Sequence, residues 1–568
     1  MRFELARRVF VGFVFWIRGR ELMELGGRAV VTAVFFLFAV QMLFGATKFN
    51  PLDRRMTALL AAAVCKVAAT NPTQSTNFVD FDVLVVLASI MILNHLLVQQ
   101  TPVLRFIQHV VVRLRTKVPV SGHCRSASIW FVAATAFILA PLMTNDGLVL
   151  LLVDPVLEAW DKSSLVDSHN DRLHLCLAIA CAANLGSLVT LVGNPQQILI
   201  ASYSKSAGDQ GSFGSGRYFL IMIFPALICF VLTTWFIDFR RRRMNRLMQQ
   251  ENEREHQLLH QQLQQQQKQQ QQEDLGTLSE TAEMVDNHDV LVVGEGNGEC
   301  RNLDDLGAER RPTHPGASMP FLVLPSLFAV AVLELVGAVP LALLFPMSAA
   351  LLGAIVVLVS YVKSRQHRQP WPDCNSPSPR GTPLAQAQSL TEGIFSSIDY
   401  DLLLIFGGAF IVSGLFCETG VPLACWNSAV GAGAGAGAGA SSDFSDPLTL
   451  FRVVLLVVVG SQLLGNVPII YIVGNLIDSS PSLLHNPIQR RSVWFLLAFA
   501  STVAGNLFVS GSACNIIVVE KASRHRCAPV LVCASQHFRA CFAVTILGLV
   551  LGAGLVVGMD RFLLGVLH

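Results

Sequence analysis

Apolar runs, most of them long enough to cross a hydrocarbon core of roughly 30 Å, recur along this chain. They lie near residues 29–45, 56–70, 82–99, 127–155, 173–204 and 217–237, and resume near 320–338, 341–362, 401–418, 448–475, 492–519 and 539–559. Lipid offers no partner to a backbone N–H or C=O, so only helices and closed barrels span it, and runs of this length have helical dimensions. Charged residues make up 14% of the chain and mean hydropathy is +0.52, against about 25% charged in an average soluble protein. The expectation is an all-α polytopic membrane protein whose first partner is the lipid bilayer.

Several function classes drop out early. The formal net charge of +2 provides no basic field for nucleic acid. No Walker A sequence occurs, and the polar islands inside the apolar runs hold no His/carboxylate or nucleophile/base pairing, so an enzyme is not expected. Of 13 cysteines, Cys65, Cys176, Cys181, Cys229, Cys417 and Cys514 lie in apolar runs, where Cys acts as a small hydrophobe. There is no C-x-x-C pair and no His/Cys set at zinc spacing, so no metal centre or resident cofactor is expected.

Four segments follow from the polarity profile. Residues 1–28 combine Arg2, Arg7, Arg8, Arg18 and Arg20 with a short apolar stretch, which suits an amphipathic segment on the membrane surface. Residues 29–239 form a first transmembrane repeat and 319–568 a second. Between them, 240–318 opens on four consecutive Arg, passes through a Gln-rich tract over 249–272, and cannot bury a core. That composition predicts a disordered or partly helical linker, and the Arg run places it in the cytosol. The alternating Gly and Ala of 431–440 read as an expanded loop.

The two halves resemble one another. Asp82 aligns with Asp401, Asn145 with Asn466, and Gly193 with Gly511, at offsets of 319, 321 and 318 residues. Duplication on this scale is typical of secondary transporters.

Four polar islands interrupt the apolar runs. The first is Pro141 to Gly147, flanked by apolar stretches too short to span, so it predicts two half-length helices meeting at a polar tip. Gly460 to Pro468 is its counterpart. The third runs from Asn184 to Gln197 and the fourth from Gly505 to Asn515, each carrying helix-breaking Gly or Pro. Backbone freed at membrane depth must be covered by protein or line a cavity. Half-helix N-termini there suit an anion, and freed carbonyls with Asn or Ser oxygens suit Na⁺.

The candidate substrate- or ion-binding residues are therefore Thr144, Asn145, Asp146, Ser187, Gly193, Asn194, Pro195, Gly465, Asn466, Asn506, Gly511, Ser512 and Asn515. Asp146 is the one ionisable side chain between Ile129 and Val153, and a carboxylate at that depth is expensive and usually functional. Its alternative role is to cap the tip. Asp82 and Asp401 open apolar runs and are read as helix caps, and His95 and His174 as satisfied histidines.

At these islands the chain resembles the ion-transporter superfamily, in particular the group of arsenite permeases, sodium–proton antiporters, citrate transporters and the melanosomal P protein. The matching pieces are Met143 to Asp146, Gly193 to Gln197, Asp401 to Gly414, Gly465 to Pro468 and Gly505 to Asn515. The resemblance implies an inverted repeat, each half with about five transmembrane helices, a re-entrant hairpin and a broken helix. It also implies that substrate sits between hairpin tips and broken helices and moves with a transport region that slides against a scaffold.

The expected function is secondary active transport of a small anion, whether arsenite, a citrate-like acid or another inorganic or organic anion, coupled to an H⁺ or Na⁺ gradient. Na⁺ is a candidate coupling ion beside H⁺, and a homodimer stays open as the assembly. A Na⁺/H⁺ antiporter is the nearest alternative, and an anion channel is the alternative of another class.

Overall fold

The computed structural model describes residues 22–44, 53–69, most of 78–91, 122–162, 169–206, 215–281, 398, 400–430, 444–525 and 529–567. The expectations for Asp82, His95, the segment before residue 22, the Gly-Ala tract and the apolar runs at 320–338 and 341–362 lie outside these residues. Among the described residues there is no strand, and the chain is an all-α polytopic membrane protein.

In the first half the helices are α1 (Leu22–Phe44), α2 (Arg54–Ala68), α3 (Gly122–Met143), α4 (Asn145–Lys162), α5 (His169–Ser187), α6 (Pro195–Ser206) and α7 (Ser215–Thr281). The second half adds α8 (Tyr400–Glu418), α9 (Val421–Ala429), α10 (Pro447–Leu464), α11 (Asn466–Ser479), α12 (Pro481–Leu484), α13 (Pro487–Ala504), α14 (Ala513–Ser523) and α15 (Ala534–Leu567). Stretches of α3, α7, α8, α10 and α15 are long and apolar enough to cross a membrane.

By contacts the chain divides into two units, Met1–Arg240 with Ser318–His568, and Arg241–Ala317. The second unit opens as helix, since α7 continues to Thr281. Gln, Glu and Arg are good helix formers, and a helix already nucleated in the membrane extends without paying the nucleation cost again.

Within the first unit, α5 and α13 are the most enclosed long helices. In α5 only His169 and Arg172 escape full burial. A helix apolar on all sides belongs inside a bundle, and small residues let its neighbours close in. A Cβ on Gly186 of α5 would stand 2.2 Å from the Phe137 carbonyl oxygen of α3. One on Gly552 of α15 would stand 2.0 Å from the Phe499 ring of α13. The helices α1, α2 and α8 pack on one another, with Phe35 stacked on Phe416 at 3.6 Å and Gly408 against the Ala58 backbone.

Asp401 sits in the first turn of α8, where its charge complements the helix dipole. It also pairs with Arg55 of the first half at 2.7 Å. Near Asp82, the carboxylate that caps the backbone is Asp80, which accepts from the Val83 N–H at 3.1 Å. His174 is satisfied, its Nδ1 bonded to the Asn170 carbonyl at 2.8 Å.

One expectation needs correction. The first island does not join half-length helices: α3 has 22 residues and α4 has 18. Both outrun the apolar stretches because polar residues beyond those stretches find partners. Ser126 bonds Asp238 at 3.0 Å, Asp154 pairs with Lys521, and Asp161 meets Arg172 at 2.9 Å and His525 at 2.7 Å.

Candidate functional site

All four islands are helix breaks, and the breaks come in two matching pairs. Thr144 alone separates α3 from α4, with φ of 62°, and Gly465 alone separates α10 from α11, with φ of 85°. A one-residue reversal of this kind needs the left-handed region, which glycine enters freely and a β-branched residue only with strain. Thr144 offsets part of that cost by capping, since its hydroxyl accepts from the Gly147 N–H at 3.3 Å. Asp146 lies in the first turn of α4, largely buried.

The second pair consists of longer interruptions, residues 188–194 between α5 and α6, and 505–512 between α13 and α14. A Cβ on Gly193 would lie 2.0 Å from the Ser187 carbonyl oxygen, and a Cβ on Gly511 would lie 2.8 Å from that of Gly505. Each glycine thus presses on the residue six positions earlier, at corresponding places in the two halves. Neither has a positive φ, so close backbone approach is what demands glycine there.

Hydrogen bonds draw the breaks together. The Asn145 N–H donates to the Gly193 carbonyl at 3.0 Å, tying the first single-residue break to the first long one. At the other pair, Gln462 donates its amide to the Ala504 carbonyl at 2.7 Å. Asn184 joins the halves. Its Oδ1 accepts from Asn145 at 2.8 Å and from the Ser512 hydroxyl at 2.9 Å, while its Nδ2 reaches Asn506 at 2.8 Å and Asn515 at 3.1 Å. Asn515 in turn donates to the Gly505 carbonyl at 2.8 Å. Ser187 takes a bond from Asn194 at 3.0 Å, and Pro195 begins α6.

Every candidate residue thus lies at or beside one of the four breaks. Asn184 stood within the third island but not among the candidate ligands, and it is the hub. Further participants had no sequence signal of their own. Thr502 accepts from Gln197 at 2.9 Å and Gln196 at 3.1 Å, and the buried His537 holds the Asn506 carbonyl at 3.0 Å.

The chemistry on offer is uncharged oxygen with one carboxylate. The breaks contain no Lys, Arg or His. Helices α4, α6, α11 and α14 all begin at them, so four positive dipole ends start where the polar residues gather. Around the second single-residue break, Ser461 Oγ, Gln462 Oε1 and Asn466 Oδ1 are buried with no protein partner. Buried polar atoms are rarely left so, and each such oxygen carries a desolvation cost of about 1–3 kcal/mol. Among the described residues no group of three or more His, Cys, Asp or Glu could hold a metal ion.

Helices interrupted inside a buried core, in two matching pairs, define a membrane transporter. The chain belongs to the citrate transporter family, whose model matches residues 33–504. It is 22% identical to the putative transporter arsB of Dictyostelium discoideum, over 84% of this chain and 83% of that one. A silicon efflux transporter of rice, Oryza sativa subsp. japonica, is 35% identical over 23% of this chain and 25% of its own length. The low-affinity phosphate transporter of Saccharomyces cerevisiae is 28% identical over 22% of this chain and 13% of its own. The chain therefore aligns with only about a quarter of the silicon transporter and less of the phosphate transporter.

Proposed function

We propose that this protein is a secondary active transporter that moves a small oxyanion, or the oxyacid it derives from, using an H⁺ or Na⁺ gradient. The convergence of four helix N-termini on breaks without a basic side chain carries this reading. Dipole ends and amides stabilise one modest negative charge, whereas a tricarboxylate calls for cationic side chains to offset its desolvation. The relatives named for silicon and phosphate transport point to the same class of inorganic oxygen compounds. The unpartnered Ser461, Gln462 and Asn466 oxygens suit a coupling Na⁺, and Asp146 suits a coupling H⁺. The two halves would be inverted repeats, with α1, α2 and α8 in the static part.

The deciding experiment is reconstitution into liposomes. Uptake of arsenite, silicate, phosphate, citrate and succinate is measured under imposed Na⁺ and H⁺ gradients. Saturable, gradient-dependent movement of one of the first three is the expected result. Flux that never saturates would make the protein a channel. Na⁺/H⁺ exchange with no anion present would favour the antiporter reading, for which the same oxygen cluster and Asp146 are the supporting observation.

Asn466→Ala sharpens the test. Its Oδ1 has no role in holding the fold, so stability should hold while transport falls at least about tenfold, the worth of one well-placed polar contact. Asn145→Ala should lose transport and also stability, by roughly 1–3 kcal/mol, because Asn184 loses one of its two donors and the buried Asp146 N–H loses its acceptor. A thermal melt beside each uptake assay separates the two effects. Wild-type uptake by Asn466→Ala would remove the second break from the binding site.

A further inference from the structure

We propose that the end of the bundle where α7 and α13 begin and α15 finishes carries a second anion site, built on Arg217 and Arg491 and shaped for a phosphate group. Asp560 lies at its centre, fully buried. Its Oδ1 accepts from Arg491 Nε at 3.0 Å and its other oxygen from the Ser492 hydroxyl at 2.7 Å. Arg217 Nη2 is 3.6 Å from the same Oδ1, outside hydrogen-bonding range. One carboxylate therefore faces two guanidinium groups. Arg490, next in sequence, is engaged elsewhere, with Asp478 at 2.6 Å.

The surplus charge leaves unused donors. Arg491 Nη2, Arg217 Nε and Arg217 Nη2 are buried without a hydrogen-bond partner, and the Arg491 side chain is only 5% exposed. A buried cation lacking a full counter-charge is costly, so an anion that completes the set lowers the energy of the folded state. The backbone adds to the field. α7 starts at Ser215 and α13 at Pro487, which brings the positive ends of two helices to the same place. Guanidinium forks bind phosphate oxygens in bidentate fashion, where an ammonium acts only as a point charge. Arg217, with 17% of its side chain exposed against 5% for Arg491, forms the entrance. Helix ends of a membrane bundle lie among lipid headgroups, and basic pockets between such helices bind anionic ones. The phosphate group can equally arrive as the free ion. None of these residues belongs to the four breaks.

The test uses the purified full-length chain in detergent and follows its melting temperature. Inorganic phosphate is titrated in one arm. Mixed micelles of phosphatidylglycerol, with phosphatidylcholine as the uncharged control, are titrated in the other. A rise with phosphatidylglycerol alone assigns a lipid headgroup, and a rise with inorganic phosphate assigns a soluble anion. Phosphatidylcholine should produce none. Arg217→Gln should weaken the effect at least about tenfold, and Arg217→Lys should fall between. Arg491→Gln would strand Asp560 and can fail to fold, so Arg217 is the deciding position. Asn466→Ala, altered at the transport site, should keep the full rise with phosphatidylglycerol, and any part of a phosphate rise that it removes belongs to the transport site rather than to Arg217. An Arg217→Gln protein that responds like wild type, or a wild type unmoved by either probe, overturns the proposal.

Discussion

Gly193→Val should reduce gradient-driven uptake by more than about 100-fold, the scale of loss when a binding constellation moves by an ångström. The added Cβ would meet the Ser187 carbonyl oxygen at 2.0 Å, where carbon contacts prefer about 3.5 Å or more. Both partners are backbone, so no side chain can rotate to relieve the clash. The loop must shift, and with it the Gly193 carbonyl that holds the Asn145 N–H. Gly511→Val should be milder, because its clashes are a carbonyl at 2.8 Å and the flexible end of Gln462 at 2.9 Å. Gly554→Val is the control, with nothing within 4 Å of its Cβ. Uptake and surface expression of all three variants check the order. Equal tolerance at 193 and 554 would show that the close approach has no part in transport.

That order could not be read from the chain. The sequence marks where helices break, because Gly, Pro and Asn inside an apolar run are all costly in an unbroken helix, and it marks the pairing of breaks through a constant offset. Which atoms meet across the breaks is another matter. Asn184 bonds to Asn506, Asn515 and Ser512, all more than 300 residues away, and no periodicity encodes a contact of that range. Thr144 shows a second kind of limit. Its aligned partner is a glycine, and only the backbone reveals that both occupy the left-handed region. Helix lengths depart from expectation for a third reason: apolar runs underestimate a helix whose polar ends are satisfied by distant partners such as Lys521 for Asp154. His537 had no signal at all, being an isolated histidine at the edge of the last apolar block.

Asp146→Asn should abolish the pH dependence of transport and leave the fold intact. The second half has Val467 at the matching position, so the two single-residue breaks supply one carboxylate between them. Asp146 begins the helix after the Thr144 break, and its own N–H is held by the Asn145 side chain at 2.9 Å. It is thereby linked, through Asn145, to the Asn184 hub. A carboxylate so enclosed changes the local charge when it gains or loses a proton, and Asn145 is the neighbour able to pass that change to both halves. Asp154→Asn is the matched control, since that carboxylate is half-exposed and pairs with Lys521. Its loss should cost no more than about 1 kcal/mol and spare coupling. Uptake is measured between about pH 5 and pH 8, the window in which proton-linked switches act, with and without Na⁺. A flat profile in Asp146→Asn alone would make protonation of Asp146 the coupling event. If the variant instead keeps the wild-type pH profile and responds to Na⁺, coupling lies with the uncharged oxygens of Ser461, Gln462 and Asn466. The two halves would then divide the labour, with anion and cation held at opposite breaks of one hydrogen-bonded core.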